Sequence, residues 1–146
     1  MKWFYLLLAL VSGALVPLQA GVNVRLRQAL GGDAVLSALI SFAGGTLVLL
    51  AVFLAQGANW PRPASDGPWW MWTGGIFGAF FVAATIVLAQ RLGATSMLAW
   101  ILASQLLAGL VLDQFGVAGY AVRDITWPRL AGVALLLAGA WLVERF

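Results

Sequence analysis

Few side chains in this 146-residue sequence are of types that do chemistry, and they fall in two short runs. Ser12, Gln19 and Asn23 follow one another at steps of seven and four, which places them on one face of a helix. Pro17 lies between them, where it removes a backbone N–H, frees a carbonyl and allows a kink. Gln105, Gly109 and Asp113 recur at steps of four, with Ser96, Trp100 and Ser104 on an adjoining stripe. Amides, hydroxyls and an indole can hydrogen-bond to a solute or stack on it. They are poor general acids and bases. The sequence has no histidine, no cysteine and no pair of carboxylates inside an apolar run. It also lacks the G-x-x-x-x-G-K-[ST] pattern of a phosphate-binding loop. The expectation is a protein that is not an enzyme and carries no metal or cofactor.

The segments that hold these residues are unlike those of a water-soluble domain. Hydrophobic residues make up 63% of the chain and charged residues 9%, against roughly 25% charged in a soluble domain. Mean hydropathy is +0.98. A chain of this length cannot bury so much apolar surface within itself, so the bilayer is its expected solvent. The sequence pI of about 10.2 comes from eight basic residues scattered singly, not clustered as a nucleic-acid surface requires. Nucleic acid is therefore not an expected partner.

The first apolar run imitates a secretory signal, with Lys2 ahead of it and Leu18-Gln19-Ala20 before Gly21 as a passable cleavage site. The uncharged stretch from Trp3 to Val24 is nevertheless 22 residues, long enough to cross a bilayer. Charged residues divide the rest of the chain into uncharged intervals of 28, 24, 21 and 14 residues, beginning at Ala34, Gly67, Leu92 and Leu130. The last becomes long enough if it starts at Trp127 and Arg129 snorkels, and Thr126 and Pro128 suit its first turn. These intervals predict one domain, 1–146, with five spans near 3–24, 34–56, 68–90, 93–113 and 127–144. The proline-rich stretch Gly57 to Gly67 reads as an interfacial loop, and Trp60, Trp69, Trp70 and Trp72 as an aromatic belt. Gly116 to Asp124 reads as a second loop, and Arg91-Leu92-Gly93-Ala94 as a tight hinge between antiparallel neighbours.

Five spans put the termini on opposite faces. Lys2, Arg62, Arg123 and Arg129 then share one face, and Arg25, Arg27, Arg91 and Arg145 the other, so neither face has the basic excess that fixes orientation. The count suggests a chain that inserts both ways and pairs with an inverted copy of itself, as in transporters built from inverted repeats. In such a pair, Asp113 of one copy would lie on the same side as Arg25 and Arg27 of the other, and an inter-subunit ion pair is expected there. An interfacial, snorkelling carboxylate is the simpler alternative.

Lipid gives helices no hydrophobic reason to associate, so small residues mark their contacts. Gly74 and Gly78 form a G-x-x-x-G in the third span, and Ser37, Ser41 and Gly45 form a small face on the second. These serve packing within one chain or between two. Unpaired amides are costly in lipid, so Gln19, Asn23, Ser104 and Gln105 should face protein or water. Together with Trp100 they are the candidates to line a solute path, the alternative for each being a helix-to-helix contact that fixes packing.

In the order "PLQAGVNVRLRQALG", "SFAGGT", "WWMWTGGIFGAFFV", "LGATSMLAWILASQL" and "LDQFGVAG", the chain resembles the short YdcZ-like branch of the drug/metabolite transporter superfamily. The tail "RLAGVALLLAGAWLV" is similar to the closing helix of the larger EamA-type repeats. Where the family pattern has Gly-Gln in the fourth span, this chain has Ser104-Gln105. The resemblance implies an all-α inner-membrane protein of five helices, two copies or a paralogous pair of which combine in inverted fashion to give ten. It also implies secondary export of small solutes. Alternating access by an antiparallel dimer is the expected mechanism. A passive channel, or a non-transporting subunit that needs a different partner, is the alternative.

Overall fold

A computed structural model describes residues 2–58 and 68–146, and the expected Gly57 to Gly67 loop, with Trp60, Arg62 and Asp66, lies largely outside them. The described residues are helical, in the order α1 (Lys2–Ala29), α2 (Ala34–Ala55), a short 3-10 turn (Trp69–Thr73), α3 (Gly74–Phe115) and α4 (Trp127–Arg145). All four α-helices, α3 together with the turn before it, are long and apolar enough to cross a membrane.

The helix ends follow from local chemistry. Helix α1 runs through Pro17 and past Val24 to Ala29, taking Arg25 and Arg27 into its last turns. Arginine is a good helix former, and cations suit a C-terminus, so nothing stops the helix until the glycines at 31 and 32. The Gly32 N–H returns to the Arg27 carbonyl at 2.9 Å and closes that end. Asp33 then caps α2, its Oδ1 accepting from the N–H groups of Val35 at 2.8 Å and Leu36 at 3.0 Å. Such a cap contributes about 1 kcal/mol. Helix α4 starts at Trp127 with Pro128 in its first turn, although the Thr126 side chain makes no capping bond.

Inside α3, Gly93 has φ 78° and ψ 168°, which breaks the helical path. Only glycine enters that region without steric cost. The chain separates there into two compact units, Met1–Arg91 and Leu92–Phe146.

In the first unit, Ala38 of α2 packs with Val82 and Ile86 of α3, and Val24, Ala34, Phe81 and Ala83 lie against them. Ile86 is fully buried. A Cβ added to Gly78 would lie 3.4 Å from the Phe42 ring, so this glycine admits an aromatic side chain of α2, whereas Gly74 and Gly45 have open space around them. Helix surfaces are the reverse of a soluble protein's. Leucines, valines and phenylalanines of α1 and α2 point outward, while Ala20, Ala38, Ala103 and Ala140 are buried. Small residues let helices approach closely in lipid, and alanines are four of the eight buried apolar residues among those described, the others being Val82, Ile86, Met97 and Val133. Trp69, Trp70 and Trp72 are exposed beside the start of α3, where an aromatic belt would place them.

In the second unit the loop after α3 is tied back on itself. The Arg123 N–H donates to the Asp113 carbonyl at 2.8 Å, and the Ile125 N–H to Gln114 Oε1 at 2.8 Å. Gly116 makes this return possible: its φ is 60°, and a Cβ there would sit 2.6 Å from Val122 Cγ2.

Candidate functional site

The polar face of α1 meets α2 in two places. Asn23 is buried, and so is Ser37. The Ser37 hydroxyl donates to the Asn23 backbone carbonyl at 2.8 Å. The Asn23 side-chain nitrogen, Nδ2, is buried with no acceptor among the described residues. One turn earlier, Gln19 lines a groove of about 190 Å³ with Ser41, Phe42, Gly45, Thr46 and Leu49. The Thr46 hydroxyl donates to the Phe42 carbonyl of its own helix at 2.8 Å, whereas Gln19 is exposed. The step of four between Gln19 and Asn23 thus yields one exposed amide and one buried amide.

At the end of the same helix, Arg27 Nε donates to the Gly32 carbonyl at 2.6 Å, and Nη1 donates to Gln90 Oε1 of α3. Arg25 is exposed. In the second unit, Trp100, Ser104 and Gln105 are exposed on the helical segment 94–115. The Ser104 hydroxyl donates to the Ile101 carbonyl at 2.8 Å, a bond within its own helix. Asp113 pairs with Arg129, Nη2 to Oδ2 at 3.0 Å.

That pair is intrachain, whereas the expected contact of Asp113 with Arg25 or Arg27 concerns a second copy. Asp113 already has a cation in its own chain, because the tied-back loop brings the start of α4 to the end of α3. Arg27, one of its two expected partners, is engaged by Gly32 and Gln90. Neither Asp113 nor Arg27 needs a second copy to find a partner. Sequence reasoning placed Ser37 on a packing face without foreseeing its bond to Asn23, and did not foresee Gln90 or Arg129 as partners at all. The sequence signal for the pair is that Asp113 and Arg129 fall on the same face of a five-span chain.

The chain matches, over residues 4–142, the model of a family described as "Putative inner membrane exporter, YdcZ". The chain belongs to this family. It is similar to the inner membrane protein YdcZ of Escherichia coli (strain K12), with 34% identity over 137 residues, which is 93% of this chain and 91% of that protein. No solved structure matches it. The family's description and the long apolar helices agree on a multi-pass protein of the inner membrane. The exporter description also agrees with the shortage of acid–base groups in the sequence.

Proposed function

We propose that this chain is a five-span half of a secondary exporter of small solutes, and that two copies combine antiparallel in the inner membrane. Solute passes along the Gln19–Asn23 face of α1 and the Trp100–Gln105 stripe, and the two copies rock against each other to expose it alternately. The break at Gly93 supports the reading of five spans. A helix of 42 residues would extend about 63 Å at 1.5 Å per residue, twice the roughly 30 Å hydrocarbon thickness. A break at its middle divides it into two segments of spanning length. The antiparallel pairing rests on the even division of basic residues between the two faces.

The observation that carries the reading is the Asn23 amide. A buried N–H without an acceptor costs about 1–3 kcal/mol. A helix whose only task was packing would place an alanine or leucine there. A carrier that changes conformation needs polar groups whose partners are supplied in turn by solute and by protein. The Gln105 side chain, exposed on the second unit, makes no hydrogen bond among the described residues and is the second polar group offered to solute. The test is reconstitution of the purified chain in liposomes and measurement of flux for amino acids, sugars and lipophilic cations. Saturable flux of one class supports the reading. Flux that appears only when a paralogous chain is added would replace the homodimer with a heterodimer, and linear, unsaturable flux would replace the carrier with a channel.

A further inference from the structure

A second groove lies entirely within the second unit, between segment 94–115 and α4. Its volume is about 320 Å³, and Leu106, Gly109, Leu110, Gly132, Val133 and Leu136 make its apolar walls. At one end it is closed by Asp113 and Arg129. A guanidinium has five N–H donors. Among the described residues that of Arg129 makes one hydrogen bond, from Nη2 to Asp113, and Nη1 is buried with no acceptor. The groove is therefore an apolar trough with one unmet polar demand, for a hydrogen-bond acceptor at its charged end.

The acceptor's charge is fixed by Asp113. The ion pair is already balanced, so a phosphate at the same guanidinium would add an uncompensated negative charge beside the Asp113 carboxylate, which is unfavourable at short range in a medium of low dielectric. A neutral carbonyl avoids this. Both residues bound apolar runs, 92–112 and 130–143, which places them at the edge of the hydrocarbon layer. The molecules that present a neutral carbonyl at that depth, attached to an apolar chain, are ester lipids.

We propose that this groove binds one glycerophospholipid, with an acyl ester carbonyl accepting from the Arg129 guanidinium and the acyl chain lying along Leu110, Val133 and Leu136. The Arg129 side chain is 34% exposed and lines the groove. The proposal needs the membrane location but neither solute export nor the antiparallel dimer, so its failure leaves those readings untouched.

The test compares a diester phosphatidylethanolamine with its diether analogue of the same chains, which keeps the phosphate and lacks the carbonyls. Delipidated protein is titrated with each, and bound lipid is counted by native mass spectrometry. A hydrogen bond from a charged donor predicts about tenfold tighter binding of the diester. The groove can be filled without touching the ion pair, because a Cβ at Gly109 or Gly132 meets nothing within 4 Å. Gly132→Leu should remove the ester preference while leaving the helical circular dichroism signal unchanged. Equal binding of diester and diether by the original chain overturns the proposal, as does an ester preference that survives Gly132→Leu. So does binding that follows headgroup charge when diester phosphatidylglycerol replaces phosphatidylethanolamine. A Leu136→Cys variant that crosslinks between chains in native membranes also overturns it, by giving the groove to a second copy.

Discussion

Ser37 of α2 holds the backbone of Asn23 while leaving its side chain unpartnered. The hydroxyl donates to the Asn23 carbonyl at 2.8 Å, both residues are buried, and Nδ2 of the same asparagine has no acceptor among the described residues. Helix α1 is thus fixed against α2 at the point where its amide is free. Ser37→Ala should lower the midpoint of thermal unfolding in detergent by an amount equivalent to about 0.6–2 kcal/mol. Ser37→Leu should cost more, because Ser37 is fully buried and leaves no room for extra methylenes.

The Asp113–Arg129 pair predicts a specific pattern of rescue. Each side chain is partly exposed, so breaking the pair should cost between the surface and the buried limits, about 1–3 kcal/mol. Asp113→Arg alone should destabilise, and the exchange Asp113→Arg with Arg129→Asp should recover much of the loss. Recovery by Arg27→Asp instead would point to the expected inter-subunit contact. Thermal unfolding of the single variants and the two double variants distinguishes the possibilities.

Gly116 makes two separable demands. Gly116→Ala should cost about 1–3 kcal/mol, from a positive φ and from a Cβ placed 2.6 Å from Val122 Cγ2. Adding Val122→Ala removes the clash and not the dihedral strain. The double variant should therefore melt between Gly116→Ala and the original chain. If it melts no higher than the single variant, the contact with Val122 is irrelevant.

Some of this was legible in the sequence, and the reason lies in what each feature depends on. The start of α2 behind Asp33 and of α4 at Trp127 rest on local chemistry, a capping carboxylate in one case and a first-turn proline in the other. The G-x-x-x-G of Gly74 and Gly78 identified a small surface, but which glycine meets a neighbour depended on where Phe42 of another helix falls. Partners distant in sequence were not legible. Arg27 and Gln90 are 63 residues apart, and Asp113 reaches Arg129 through a loop whose bends at Gly116, Ala118 and Gly119 no periodicity encodes. The period that put Gln19 and Asn23 on one face could not show that one would be exposed and the other buried.

The even split of basic residues predicts dual topology. C-terminal reporter fusions active on either side of the membrane should both give signal in comparable amounts. Two lysines added beside Lys2 should bias the chain to one orientation and lower function, and co-expression of an oppositely biased copy should restore it. A reporter signal from one side only would contradict the antiparallel homodimer.

Export through the Asn23 face is the central claim, and flux in proteoliposomes tests it most directly. The measurement compares initial rates for the original chain, Asn23→Leu and Gln105→Ala, using whichever solute class the original chain carries and protein matched for amount and helical content. The account predicts saturable flux for the original chain and a loss of at least about tenfold in both variants, with Asn23→Leu no less stable than the original and Gln105→Ala within about 1 kcal/mol of it. Undiminished flux through Asn23→Leu, in protein that folds as the original does, would contradict it.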